Sequence, residues 1–376
     1  MELLDNRRIS SIEVICMHLV DSPINFDLDI SILREENIKE TKEKMLDITY
    51  YDALIKRASL YEDQQGNYDY SLFSNIGVTY LYVHQSDKKR GLQTKKEYIS
   101  IILNFLIILP SFYYKTDIRE LGRYDMENYQ KHLEEQYPKK TTRSKKVTIL
   151  KSFLDWCFEE GYLKKKISRG LKPVKIDKEE IPHRVIDPAT VEAAVRYYNE
   201  NPKIKSLILL LATTGLRLNE VITPKMKQLS YDPMNSQYYL TTDAKNKKKR
   251  IALIKPYVLS ELREYRKRIG LRTDIDPDDE TPFYPNKFGK HYNRSYLSTM
   301  LSDHMLAAGL VTIDNKRITP HYVRHFFAQS AWHAGASLDD IAETLGHSST
   351  KTPKENYLRT QLKKERDVSR FVDINI

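Results

Sequence analysis

Four short stretches of this sequence carry side chains that could act together on a phosphodiester. The first is Thr214-Gly215-Leu216-Arg217-Leu218-Asn219-Glu220. An apolar helix, Ile204 to Ala212, precedes it and ends at Gly215, which can take the left-handed cap. Arg217 then sits just past a buried helix, where side chains can point into a cleft. Glu220, three residues on, can orient Arg217 or a nearby backbone group. The second stretch is His321-Tyr322-Val323-Arg324-His325. Pro320 opens a helix there, so His321 and Arg324, three apart, share a face and can converge on one anion. The third is Leu345-Gly346-His347, where Gly346 ends a helix and His347 projects from the turn. Tyr357, ten residues later, is the last of 26 tyrosines. The fourth is Lys245, in the lysine-rich tip Ala244-Lys245-Asn246-Lys247-Lys248-Lys249-Arg250.

Each of these residues alone has an ordinary explanation: a surface arginine, an interior histidine, a packing tyrosine, a solubilising lysine. Together they suit phosphoryl transfer. The pentavalent transition state of a phosphodiester carries extra negative charge on its nonbridging oxygens. Two guanidiniums, Arg217 and Arg324, can clamp those oxygens with charge-assisted hydrogen bonds. The histidines can exchange protons near neutral pH. A tyrosine oxygen can attack phosphorus and later leave, holding the strand as an ester. A leaving oxygen needs a proton, which a lysine beside it could supply. No carboxylate cluster suited to Mg²⁺ stands out, so a metal-free route is expected. No Gly-rich phosphate loop is present, which disfavours a kinase or nucleotide hydrolase.

The elements that must position these groups are predicted to be mainly α-helical, with a small antiparallel β-sheet. Residues 1–66 read as an acidic helical module, with helical pieces at Ile30–Thr49 and Tyr50–Tyr61 and a loop at Gln64–Asn67. Residues 67–170 read as a helical unit. Its helices are predicted at Leu72–His84, Thr94–Leu109, Arg123–Gln136 and Thr142–Glu160. Residues 171–186 read as a linker. Residues 187–376 form a second domain with a C-terminal tail. Asp187-Pro188 opens it as a helix cap and first helical position. Helices are predicted at 187–200, 202–213, 256–269, 294–308, 320–334 and 337–345. The strands are Tyr238–Thr242 and Arg250–Ile254, joined by the lysine-rich turn.

Charge says which parts could meet a polyanion. The chain has 376 residues, a net charge of +10 and a pI near 9.1. Residues 1–66 hold 14 acidic and 8 basic side chains, a balance of −6, so residues 67–376 carry +16. Basic clusters border the helical unit: Lys88, Lys89 and Arg90; Lys139, Lys140 and Arg143 with Lys145 and Lys146; and Lys164–Lys166. They are candidate DNA phosphate contacts. The longest apolar run, Ile101–Pro110, is about half of what a membrane helix needs. No secretory signal is visible, and two cysteines, Cys16 and Cys157, make neither a disulfide framework nor a zinc site. A cytoplasmic protein with no membrane partner is expected.

The set Thr-Gly-Leu-Arg217 with Glu220, Lys245, His321-x-x-Arg324-His325, Leu-Gly-His347 and Tyr357 resembles the tyrosine recombinase (phage integrase) family. The resemblance is firm over about 187–360. It implies a helical core-binding (SAM-like) domain at 67–170 and a tyrosine-recombinase catalytic domain after it. It further implies site-specific DNA recombination, integration or excision, of the kind mobile elements use. Arg217 and Arg324 would bind the scissile phosphate. Lys245 would be general acid for the 5′-hydroxyl and His321 a general acid–base. His347 would hydrogen-bond the phosphate, and Tyr357 would form a 3′-phosphotyrosyl link. Neither ATP, metal nor other cofactor is implied. The partners would be double-stranded DNA with specific recombination sites, three further copies in a homotetramer, and an accessory directionality factor. Two departures stand out. His347 and Tyr357 lie ten apart where the family commonly uses nine, with Pro353 between them. Ala244 and Asn246 flank Lys245 where glycines are common. The competing reading is a catalytically silent DNA-binding regulator on the same fold, which should have lost catalytic residues; this chain keeps all six.

Overall fold

A computed structural model describes residues 37–63, 66–85, 88, 90–176, 185–243, 249–312, 315–347 and 350. The chain divides into two compact units, 1–180 and 181–376. Lys89, Lys245, Tyr357 and the tail after it lie outside the described residues.

The first unit is helical: α1 (Ile38–Lys44), α2 (Tyr51–Ser59), α3 (Asn75–His84), α4 (Leu92–Tyr113), α5 (Arg123–Gln136) and α6 (Lys140–Glu159). α3 is apolar on nearly every side, and all of Ile76 to His84 is buried. Such a helix must be surrounded, and the two acidic-stretch helices help to do so. Met45, Leu54 and Ala58 share one core with Tyr80, Phe105, Leu150 and Phe153. Polar bonds fix this docking: Tyr80 donates its hydroxyl to Asp47 O at 2.5 Å, and His84 Nε2 lies 2.9 Å from Met45 O. The Lys95 ammonium, 2.9 Å from His84 Nδ1, can only donate, so the ring is neutral with its proton on Nε2.

Two elements of this unit run past their expected limits. α4 continues through Pro110 to Tyr113 rather than stopping at Leu109. A proline so near the C-terminal end removes one helical donor but leaves most of the helix intact. Beyond α6, Ile167–Gly170 forms a 3-10 turn whose Ile167 and Leu171 belong to the core. Lys151 crosses to this turn and donates to Ser168 O and Leu171 O.

The second unit holds α7 (Pro188–Tyr197), α8 (Pro202–Thr214), α9 (Leu218–Ile222), a sheet, α10 (Pro256–Arg268), α11 (Arg294–Ala307), α12 (Pro320–His333) and α13 (Leu338–Thr344). Asp187 caps α7 by accepting from Ala189 N at 2.9 Å, with Pro188 in the first turn. The sheet has the antiparallel order β1 (Leu229–Asp232), β2 (Gln237–Asp243), β3 (Lys249–Ile254). β1 is an edge strand beyond the two expected from sequence. Along β3 burial alternates, placing Arg250, Ala252 and Ile254 inward and Lys249, Ile251 and Leu253 outward. α8 is buried along most of its length and anchors the core with Leu240, Leu262, Phe283 and Leu301.

Gly170 tests the packing of the first unit. A Cβ there would lie 2.4 Å from Arg123 O and 2.7 Å from Met126 Cβ. Gly170→Ala should therefore destabilise this unit by about 1–3 kcal/mol, the usual range for overpacking. A lowered urea midpoint with an unchanged m-value would register it; an unchanged midpoint would contradict the close approach.

Candidate active site

The site is built around one carboxylate. Glu220 is 2% exposed and lies in the first turn of α9. Its Oε2 accepts the Arg217 backbone N–H at 2.8 Å, which satisfies a donor at the start of a very short helix. The same Oε2 accepts Arg250 Nη1 at 2.6 Å and lies 3.8 Å from Arg324 Nη1. Oε1 accepts Arg217 Nη1 at 2.8 Å. Burial alone would raise the carboxyl pKa. The Arg217 N–H and the Arg250 charge outweigh that, and the group titrates below its ordinary range.

Arg324 is 2% exposed and reaches across from α12. Its Nη1 donates to Gly215 O at 2.5 Å and its Nη2 to Leu345 O at 2.6 Å. Gly215 ends α8, and Leu345 immediately follows α13. The arginine therefore ties two helix ends together through carbonyls that helices leave unsatisfied. Gly215 is required there twice over. Its φ is +58°, and a Cβ would lie 2.4 Å from Phe327 Cδ1 and 2.9 Å from Leu345 Cδ2.

His347 follows Gly346 in the turn after α13, held by its backbone N–H to Ala342 O at 2.9 Å. Its Nε2 is 3.3 Å from Arg324 Nη2. Partial burial, then the charges of Arg324, Arg217 and Arg250, lower its pKa to about 4. The ring is neutral at physiological pH. Because Arg324 can only donate, Nε2 is the acceptor and the proton sits on Nδ1. His321, exposed on the first turn of α12, lies edge-to-face on His325 with 4.8 Å between centroids and 3.4 Å between their Nε2 atoms.

Arg217, about a third exposed, with His321 and Arg324 lines an open cavity of about 580 Å³. Arg294, Ser295, Ser298 and Thr299 of α11 complete the wall, with Thr319 and Pro320. A concave site with three cations, hydroxyls and an imidazole can take an anion and exchange protons with it. Of the six residues proposed from sequence, Arg217, His321, Arg324 and His347 are thus brought together. Lys245 and Tyr357 lie outside the described residues.

Two residues escaped the sequence reading. Arg250 is 6% exposed and donates to Thr214 O at 2.8 Å as well as to Glu220. Strand alternation with Ala252 and Ile254 was the signal that could have found it. Arg294 stands at the start of α11, and no local pattern marks it.

The basic clusters of the first unit are placed differently from one another. Arg90 stacks over Tyr82 at 4.5 Å and Tyr98 at 5.0 Å and donates to Tyr82 O at 2.6 Å, so packing already uses its guanidinium. Lys88 lines a cavity together with Arg90 and Tyr82. Lys139, Lys140 and Arg143 occupy the start of α6. There Lys145 pairs with Glu97, and Lys146 sits 4.2 Å above the Tyr137 ring. Among the described residues no cluster of metal-ligating side chains occurs, and no helix is long and apolar enough to cross a membrane.

This arrangement, within a helical domain around a small antiparallel sheet, is the fold of the tyrosine recombinases. The chain aligns over 88% of its length with a crystal structure of XerH site-specific recombinase bound to palindromic difH substrate, covering 96% of that chain at 16% identity and TM-score 0.57. It aligns over 80% of its length with lambda integrase bound to DNA, covering 99% of that chain at 15% identity and TM-score 0.58. Residues 184–364 match the model of the phage integrase family, so the second unit carries a phage integrase family domain. Among curated proteins, the tyrosine recombinase XerC of Leptospira interrogans is 26% identical over 292 residues, spanning 74% of this chain and 89% of that protein. XerC of Thermodesulfovibrio yellowstonii is 26% identical over 218 residues, spanning 57% of this chain and 69% of that protein. The family resemblance read from the sequence is borne out.

The lowered pKa of His347 makes the site sensitive to acid. Its folded value of about 4 lies below the ordinary 6.5. Between those values the unfolded chain takes up a proton that the folded chain does not. The stability linked to this group is present above pH 6.5 and lost as pH falls towards 4. His347→Gln should flatten the acid side of the stability profile in that window. Identical wild-type and variant profiles would show that the imidazole is not held neutral.

Proposed function

We propose that the chain is a site-specific DNA recombinase that cuts and rejoins strands through a covalent bond to Tyr357. The observation that carries this reading is the convergence of Arg217, Arg324 and His321 at one cavity wall, with His347 3.3 Å from Arg324, in a stretch that matches the phage integrase family. Lys245 and Tyr357 enter through their order in the sequence pattern.

In the proposed step the Tyr357 oxygen attacks the scissile phosphorus, losing its proton to a base for which His321 is the candidate. The bond from phosphorus to the 5′-oxygen breaks, and Lys245 protonates that oxygen. The 3′ side of the strand stays esterified to tyrosine. Attack by another strand's 5′-hydroxyl reverses each transfer, so the energy of the broken bond is conserved and ATP is not required. Arg217 and Arg324 neutralise charge that develops on the nonbridging oxygens. Such preorganised donors are worth about 3–4 kcal/mol each.

The first unit, with residues 67–170 as a core-binding domain, would grip duplex DNA through Lys139, Lys140, Arg143, Lys145 and Lys146 at the start of α6, with Lys88, Lys89 and Arg90 as a second cluster. The working assembly on DNA would be a homotetramer acting on specific recombination sites, with an accessory factor setting direction.

Incubation with a nicked duplex built from the repeats flanking the chain's own gene tests the reading. A covalent adduct should survive a denaturing gel and vanish in Tyr357→Phe. Arg217→Ala should keep DNA binding while losing cleavage by about 100–1,000-fold. Tight binding with no adduct would leave a DNA-binding regulator instead. Replacing Lys139 and Arg143 together by alanine should weaken binding to every sequence and lower the salt slope by about two. An unchanged slope would remove α6 from the DNA interface.

A further inference from the structure

Three guanidiniums surround Glu220, yet the proposed chemistry uses only two. The third, Arg250, faces inward on β3 and is more deeply buried than Arg217. Its Nη2 is fixed on Thr214 O, and its Nη1 is fixed on Glu220 Oε2 at 2.6 Å. That oxygen is the one nearest Arg324, whose Nη1 stands 3.8 Å away and bonds to Gly215 O instead.

A buried carboxylate with an open lone pair beside a buried arginine would draw that arginine into a direct pair, since unpaired charge in such a place is costly. Arg250 occupies the lone pair that Arg324 would otherwise take. The remaining charge is favourable for an anion: one carboxylate against three guanidiniums leaves a surplus of two positive charges.

We infer that Arg250 is a positioning residue that acts as the dedicated counter-ion of Glu220, keeping that carboxylate from capturing Arg324 and so leaving Arg324 in place to meet the scissile phosphate. The inference rests on the reading of Arg217 and Arg324 as the phosphate clamp. It adds a specific consequence: the need for Arg250 exists only while Glu220 is charged. Burial lowers the Arg250 pKa to about 10 against the pull of Glu220, so it remains a cation at neutral pH.

The experiment is a double-mutant cycle on the full chain with the nicked duplex, reading adduct formation and DNA affinity separately. Arg250→Met should slow adduct formation by about 100-fold with little change in affinity, the loss typical of one misplaced oxyanion donor. Arg250→Lys, which keeps the charge, should recover part of the rate. In a Glu220→Gln background, adding Arg250→Met should cost little, a coupling of roughly tenfold or more. The counter-ion role is overturned if Arg250→Met is as fast as the wild type, or if it costs as much in the Glu220→Gln background as in the wild type. Should the single variant fail to fold, the pair of variants carrying Glu220→Gln decides the matter.

Arg217→Ala runs alongside: a full rate there would overturn the phosphate clamp itself, a failure distinct from that of Arg250. A crystal structure of Arg250→Met without DNA gives an independent readout. Arg324 Nη1 should move from Gly215 O to within hydrogen-bond distance of Glu220 Oε2; an unmoved Arg324 would overturn the inference.

Discussion

The second unit is organised by a buried carboxylate that cannot be left alone. Removing Glu220 from water carries a desolvation cost of several kcal/mol unless charge and hydrogen bonds replace the lost hydration. Arg217 supplies a backbone and a side-chain donor, Arg250 a third, and Arg324 stands nearby. These partners come from α9, from β3 and from α12, elements up to 107 positions apart in sequence. Satisfying one oxygen pair therefore requires these distant elements of the second unit to be assembled. Net positive charge is left over, and two of its bearers, Arg217 and Arg324, line an open cavity.

The arginines are held as much by backbone as by carboxylate. Arg324 bonds to the carbonyls of Gly215 and Leu345, and Arg250 to that of Thr214. All three carbonyls lie at the ends of α8 and α13, where helices have acceptors to spare. The guanidinium fork, with donors in fixed directions, spans such acceptors in a way that an ammonium cannot. The same bonds that orient Arg324 thus also close the ends of two helices, and the small side of Gly215 permits the approach.

Much of this was legible in the sequence because its signals are local. Asp187-Pro188 marks a helix start, Gly215 a helix end, and the spacing of His321 and Arg324 a shared helical face. The mainly helical fold with a small antiparallel sheet followed from periodicity and is what the structure contains. What stayed hidden depends on long-range packing. Arg250 ends a run of four basic residues after Asn246, and such a run reads as a solvated surface until strand alternation turns its last member inward. α9 has five residues, too few to show a period. β1 is four residues long, too short to show a clear alternation. The densely charged sequence of 38–59 masks Met45, Leu54 and Ala58, which are fully buried. The neutral state of His347 is set by burial and then by arginines 23, 97 and 130 positions away, and no window of sequence displays that.

The pairing of β2 with β3 places Thr242 directly opposite Arg250. Both touch the same residue: Thr242 Oγ1 donates to the Glu220 carbonyl at 3.2 Å, and Arg250 holds the Glu220 carboxylate. A slip of β3 by one residue would turn Arg250 to the opposite face and strip the Glu220 carboxylate of that partner. Sheet register and charge arrangement are consequently a single cooperative unit. A molecule with a frayed hairpin has no half-formed version of the site, so correct strand alignment acts as a checkpoint that separates a competent domain from one that is merely collapsed.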